Sequence, residues 1–251
     1  MWAEIRRMFW RRMIPVVVAT MAAAILGSHA NQQLTAAYTL AATIEESPLT
    51  VGLADSNLAR LGDMDLINKQ LDMMQAIGVQ NIRVGISWYT VQPTKVLPPD
   101  WGLIDDLIDE ANRRGMGVLG VLHETPHWAG DPIISGSPDP IAFGEFAGTV
   151  AEKFEGKISA IEVWNEPNAV FFMNPVSPSA YTDMLKAAYE AIKSVDDSIT
   201  VIGGVLGSGR TLGDDGSEVT MNPVEFLAGM YAAGAHGYFD ALSFHPYKYD
   251  M

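Results

Sequence analysis

The 251-residue chain predicts an α/β architecture of parallel strands wrapped by helices, and three observations carry that prediction. Short apolar runs alternate strictly with segments of helical spacing. The runs are apolar along almost their whole length, as strands covered on both faces are. Their carboxyl ends, and not their beginnings, carry the polar and aromatic residues. An open doubly wound sheet and a closed eight-fold barrel both satisfy this order. Strand parity chooses between them. Between Asn81 and Trp88, Ile82, Val84 and Ile86 share one face, while Arg83, Gly85 and Ser87 share the other. Near the end of the chain, Leu242 and Phe244 oppose Ala241, Ser243, His245 and Tyr247. One apolar face for helices, and one that is small below and polar above, suits a (β/α)8 TIM barrel with its site at the carboxyl-terminal mouth. Six of eight βα units are present, so the barrel is expected to be incomplete.

The elements follow in order. Leu49 to Ala54 reads as the first strand, and Met64 to Ile77 as a helix closed by Gly78. Asn81 to Trp88 is the second strand, and Trp101 to Arg114 a helix that stops at Gly115. Gly117 to Leu122, Ile158 to Val163, Thr200 to Leu206 and Phe239 to Phe244 are strands three to six. Helices Ile141 to Phe154, Ala180 to Val195 and Pro223 to Ala233 separate them. Asp55-Ser56-Asn57 after the first strand replaces the glycine turn of a dinucleotide site, and the glycines from Gly203 to Gly209 lack a phosphate loop's lysine.

Residues 1–30 read as an export signal, with a permanent membrane anchor as the competing reading. Arg6, Arg7, Arg11 and Arg12 precede an apolar run, Ile14 to Gly27, too short to span a bilayer, and Ser28-His29-Ala30 offers a cleavage site. Arg6-Arg7 also resembles a twin-arginine signal, so a secreted or cell-envelope protein is expected, without stable membrane insertion once the leader is removed. Residues 31–47 form a linker, and 48–251 the partial barrel domain. The net charge is −14, and the leader holds four of the 16 basic residues. So acidic a chain argues against nucleic acid and anionic membranes as partners. It has no cysteine, which excludes thiol catalysis and cysteine-ligated metals.

Val163-Trp164-Asn165-Glu166-Pro167-Asn168 is the most telling stretch. It ends an apolar strand in an amide and a carboxylate, and a charge there is costly unless it is used. Asn165 and Glu166 are adjacent, so both face the mouth only if the strand bulges or ends there, as Pro167 suggests. In a barrel Arg83, Glu166, His245 and Tyr247 converge from separate strands. His123-Glu124-Thr125-Pro126-His127 spells the H-E-x-x-H zinc signature, but Pro126 would sit inside the helix that signature needs, at a cost of roughly 3 kcal/mol. Neither a metal nor another cofactor is expected. Trp88, Trp128 and Trp164 lie at or beyond strand ends, where aromatic faces suit sugar rings.

Trp164-Asn165-Glu166-Pro167-Asn168 together with Ser243-Phe244-His245-Pro246-Tyr247 resembles the clan A glycoside hydrolases of the cellulase and β-xylosidase type families. The resemblance implies retaining hydrolysis of β-linked oligo- or polysaccharides without a cofactor. It makes Glu166 the general acid/base and Asn165 the ligand of the sugar 2-hydroxyl. Arg83, His245 and Tyr247 orient nucleophile and sugar, and His123 matches the third-strand histidine of cellulase-type members. In the family the nucleophile ends strand seven, which this chain does not reach. The chain is therefore expected to be truncated and inactive alone. Glu124, Glu162 and Asp250 do not match the nucleophile position. A non-catalytic exported sugar-binding protein and a gene fragment are the alternative readings.

Overall fold

The computed structural model describes residues 50–55, 58–130, 136–209 and 218–246. The leader, the linker and Tyr247 lie outside the described residues. Among the described residues six strands form one sheet in sequence order, β1 (Gly52–Ala54), β2 (Asn81–Ser87), β3 (Gly117–His123), β4 (Ala160–Val163), β5 (Thr200–Gly207) and β6 (Ala241–His245), and every neighbouring pair is parallel. Each crossover carries a helix, so the sheet curls as an incomplete (β/α)8 barrel. The helices are α1 (Met64–Ala76), α2 (Trp88–Val91), α3 (Gly102–Arg113), α4 (Pro140–Lys153), α5 (Pro178–Val195) and α6 (Pro223–Ala232). The single turn α2 was not expected from periodicity. Ser87 caps it by accepting from Thr90 N–H, and so begins a helix at the residue read as the last of the strand.

Helix starts follow local chemistry. Asp139-Pro140, Ser177-Pro178 and Asn222-Pro223 open α4, α5 and α6 alike: the first residue's side chain accepts a backbone N–H, and the proline occupies a position that needs no donor. The α4–α5 contact is close because α4 presents Gly144. A Cβ there would lie 3.0 Å from both the Cβ and the carbonyl oxygen of Ala187.

The core lies between sheet and helices. On β2 the alternation is as parity requires: Ile82, Val84 and Ile86 are buried, and Asn81, Arg83, Gly85 and Ser87 are half-buried on the barrel side. On β6 Leu242 and Phe244 are 44% and 49% exposed, so the face expected to hold a helix is uncovered among the described residues. No described helix is long and apolar enough to cross a membrane.

Candidate active site

The mouth is built from strand ends whose backbone has left regular geometry. Among the described residues four non-glycine residues have positive φ: Glu124 (65°) after β3, Trp164 (72°) and Glu166 (43°) after β4, and Val205 (42°) in β5. A β-branched residue there is a genuine outlier, and such strain costs of order 1–3 kcal/mol per residue and gathers at functional sites. Trp164 shows what the strain achieves. Its N–H still extends the ladder to Leu122 O at 2.9 Å, but its ring turns to the helix side, 5.8 Å from Phe143. Alternation is broken at that residue. Asn165 and Glu166 then reach the mouth together, which adjacent residues of a regular strand cannot do.

The two part toward different neighbours. Asn165 Oδ1 accepts from the Arg83 guanidinium at 2.9 Å. Arg83 in turn donates through Nε to Glu162 Oε2 at 2.8 Å, and Glu162 is 3% exposed. Glu162 stands opposite Val121 in the β3–β4 register, inside the barrel. Glu166 N–H donates to Val205 O at 3.0 Å, and its carboxylate Oε1 lies 2.7 Å from His245 Nδ1. Both side chains of that pair keep a water-facing edge, 17% for Glu166 and 15% for His245. The arrangement offers an accessible carboxyl group with a histidine to hold it, and beside it an amide whose oxygen is already engaged. A carboxyl so placed can exchange a proton with a bound ligand.

His123 sits on the same face, its Nε2 only 2.8 Å from where a Cβ on Gly85 would be. The glycine makes room for the imidazole. Burial pushes the His123 pKa down, partly opposed by the Glu124 carboxylate. Glu124 accepts from Arg60 at 2.8 Å. Here the mouth opens into a cavity of about 660 Å³ lined by Arg60, Ser87, Tyr89, Trp101, His123 and Glu124. His123 ends a strand, Glu124 is left-handed, and His127 lies in an exposed turn, so the zinc signature has no helix to act through. Among the described residues no three metal-ligating side chains gather.

Two tryptophans are not where a sugar platform requires them. Trp88 is fully buried, stacked 5.2 Å from Phe146 and edge-on to Phe143 and Trp128. Its assignment to substrate binding is corrected: α2 begins at this residue and carries the ring into the helix layer, where α4 supplies aromatic partners. Trp164 is buried for the backbone reason given above. Trp128 stays half-buried, its Nε1 donating to Gln92 O at 2.9 Å.

Three residues have supporting roles that the sequence reading did not assign to them. Glu162 has inward parity two residues before Trp164, and that spacing was its signal. Asn168 was read only as part of the motif, and it is fully buried. Tyr181 of α5, also fully buried, donates its hydroxyl to Val163 O and accepts from Gly204 N–H, each at 2.8 Å, joining β4 to β5. Nothing in the helical pattern of α5 marks Tyr181 as more than core.

Residues 48–248 match the family described as Cellulase (glycosyl hydrolase family 5). The chain belongs to that family. The resemblance drawn from its two motifs therefore holds. A search of curated proteins finds no match. Solved structures share the fold at low identity. A family 39 glycoside hydrolase from Bacteroides cellulosilyticus WH2 is 22% identical with a TM-score of 0.62, covering 81% of this chain and 39% of that one. A family 39 β-xylosidase from Caulobacter crescentus is 21% identical with a TM-score of 0.61, covering 79% and 46%. The exo-β-1,4-mannosidase of Opitutaceae bacterium strain TAV5 is 18% identical with a TM-score of 0.60, covering 79% and 38%. The chain thus spans less than half the length of each of these three enzymes.

Proposed function

We propose that this cellulase-family chain carries the acid/base half of a retaining β-glycosidase acting on β-linked oligo- or polysaccharides. The observation that carries the reading is the break in alternation at Trp164, which delivers Asn165 and Glu166 to one mouth beside His245. In this reading Glu166 protonates the leaving oxygen and then takes a proton from the attacking water, while Asn165 Nδ2 donates to the sugar 2-hydroxyl. Retention needs a second carboxyl about 5–5.5 Å from the first. Glu162 and Glu124 are both committed to arginines, so neither is assigned that role. The nucleophile is proposed to come from a βα unit beyond the six described, in keeping with the share of each related enzyme that the chain spans.

Cellulose-, xylan- and mannan-derived β-1,4 oligosaccharides are the probes. Calorimetry is expected to show binding of at least one of them, weakened about tenfold or more by Asn165→Ala, the loss of one well-placed hydrogen bond. Product release by the complete gene product, abolished in Glu166→Gln, supports the glycosidase. Binding without product release by that same protein supports the sugar-binding reading instead. Equal turnover by wild type and Glu166→Gln overturns the role of Glu166. Export belongs to the same proposal and rests on the basic start and apolar run of residues 1–30; mass spectrometry of secreted protein starting near Asn31 is the expected result.

A further inference from the structure

Asn168 closes the motif that supplies Glu166, yet it neither faces the mouth nor caps a helix. Its side-chain amide is committed on both ends. Oδ1 accepts from Gly207 N–H at 2.9 Å, and Nδ2 donates to Gly207 O and to Met221 O, each at 2.9 Å. The backbone carbonyl of Asn168 accepts a fourth bond, from Met221 N–H at 2.7 Å. A single amide therefore grips both backbone groups of one residue, Gly207, and also holds the segment that leads into α6.

Gly207 follows directly on an irregular stretch of β5. The β5–β6 register shifts between Gly203 and Leu206, where Gly204 and Val205 have φ of 81° and 42°. Regular ladder bonding is thus disrupted just before the strand ends. Gly207 is also the floor beneath the acid/base: a Cβ there would lie 3.1 Å from Glu166 Cδ and 3.2 Å from Oε2. In the same register Gly207 stands beside His245, which holds the other carboxylate oxygen at 2.7 Å. Asn168, Gly207, His245 and Glu166 form a closed circuit that returns to Asn168 two residues further along the chain.

We propose that Asn168 is a positioning residue: by clamping Gly207 it fixes the Glu166–His245 pair, and through Met221 it ties the start of α6 to the same point. The proposal rests on the reading of Glu166 as acid/base. Misplacement by about 1 Å is enough to cost a reacting group some hundredfold, so a clamp on its floor has a function beyond satisfying a loop. An amide that served the loop alone would leave the histidine–carboxylate contact unchanged when removed.

The test reads that contact directly, with no need for turnover. In the full ¹⁵N-labelled chain, long-range ¹H–¹⁵N spectra report the ring nitrogens of His245, assigned from their loss in His245→Gln. Glu166→Gln gives the displacement caused by removing the carboxylate. Asn168→Ala is expected to displace the His245 signals by at least half that amount, and Gly207→Ala, which pushes on Glu166 from below, is expected to displace them too. Thr182→Val removes a buried hydroxyl bonded to Pro178 O on α5 and is expected to lower stability without moving the signals. Should Asn168→Ala fail to fold, Asn168→Asp keeps the acceptor for Gly207 N–H and serves in its place. Wild-type His245 signals in the folded Asn168 variants overturn the clamp and leave the role of Glu166 standing. Failure to bind any β-glycoside sinks the glycosidase reading and leaves the clamp intact.

Discussion

Arg83 and Glu162 form the ion pair on which Asn165 depends, and the two partners do not stand in equal surroundings. The Arg83 side chain is 23% exposed and that of Glu162 only 5%, with Nε and Nη2 at 2.8 and 2.7 Å from Oε2. Breaking a buried pair is costly because of the charge left behind. Arg83→Met leaves a carboxylate inside the barrel with no cation, and the expected loss is about 3–5 kcal/mol. Glu162→Gln leaves a guanidinium that reaches water and still has Asn165, so its expected loss is about 1–2 kcal/mol. The asymmetry is then roughly 2 kcal/mol, a difference of about 1 M in urea midpoint at ordinary slopes. The double variant Arg83→Met/Glu162→Leu removes both charges together with their desolvation and is expected to unfold close to wild type. The assay is urea unfolding followed by tryptophan fluorescence and far-ultraviolet circular dichroism, whose transitions must coincide for the free energies to be comparable. Equal losses for the two single variants, or a double variant whose loss is the sum of theirs, would refute the reasoning.

Further outcomes are expected at four residues. Tyr181→Phe leaves Val163 O and Gly204 N–H without the hydroxyl that joins them and is expected to cost about 2–3 kcal/mol by urea unfolding. Burial also raises the Tyr181 pKa above the ordinary 10.0, so the folded state keeps a proton that the unfolded chain releases. Stability therefore falls as pH rises past about 10, and Tyr181→Phe removes one proton's share of that fall. His123 shows the opposite linkage: its pKa is held below 6.5, the unfolded chain binds a proton that the folded state refuses, and stability drops as pH falls through 6.5. The contribution is at most about 1.4 kcal/mol per pH unit, and urea midpoints in His123→Gln should lose that part of the slope. Trp88→Ala is expected to cost about 3–5 kcal/mol through the cavity it opens while sugar affinity of the folded protein, measured by calorimetry, stays as in wild type; Trp128→Ala is expected to weaken affinity with a smaller loss of stability.

The sequence by itself determined the parallel strand order and the inward face of β2, because each follows from spacing and alternation, whereas the Asx/Ser-Pro caps that open α4, α5 and α6 were read only from the structure. Arg83 was legible for the same reason: regular alternation on its own strand places it. Pro167 marked where alternation would break, but not how the backbone would make the break or where the tryptophan rings would go. The positive φ at Trp164 sends Asn165 and Glu166 to one side and the tryptophan to the other, and α2 turns Trp88 into the core at the residue where the strand had been expected to end. The bonds from Glu162 to Arg83, from His245 to Glu166 and from Asn168 to Gly207 each join residues 39 or 79 positions apart. Local sequence has no term for such distances. Only the closing of six strands side by side brings those partners within reach, and the geometry of the mouth is set there.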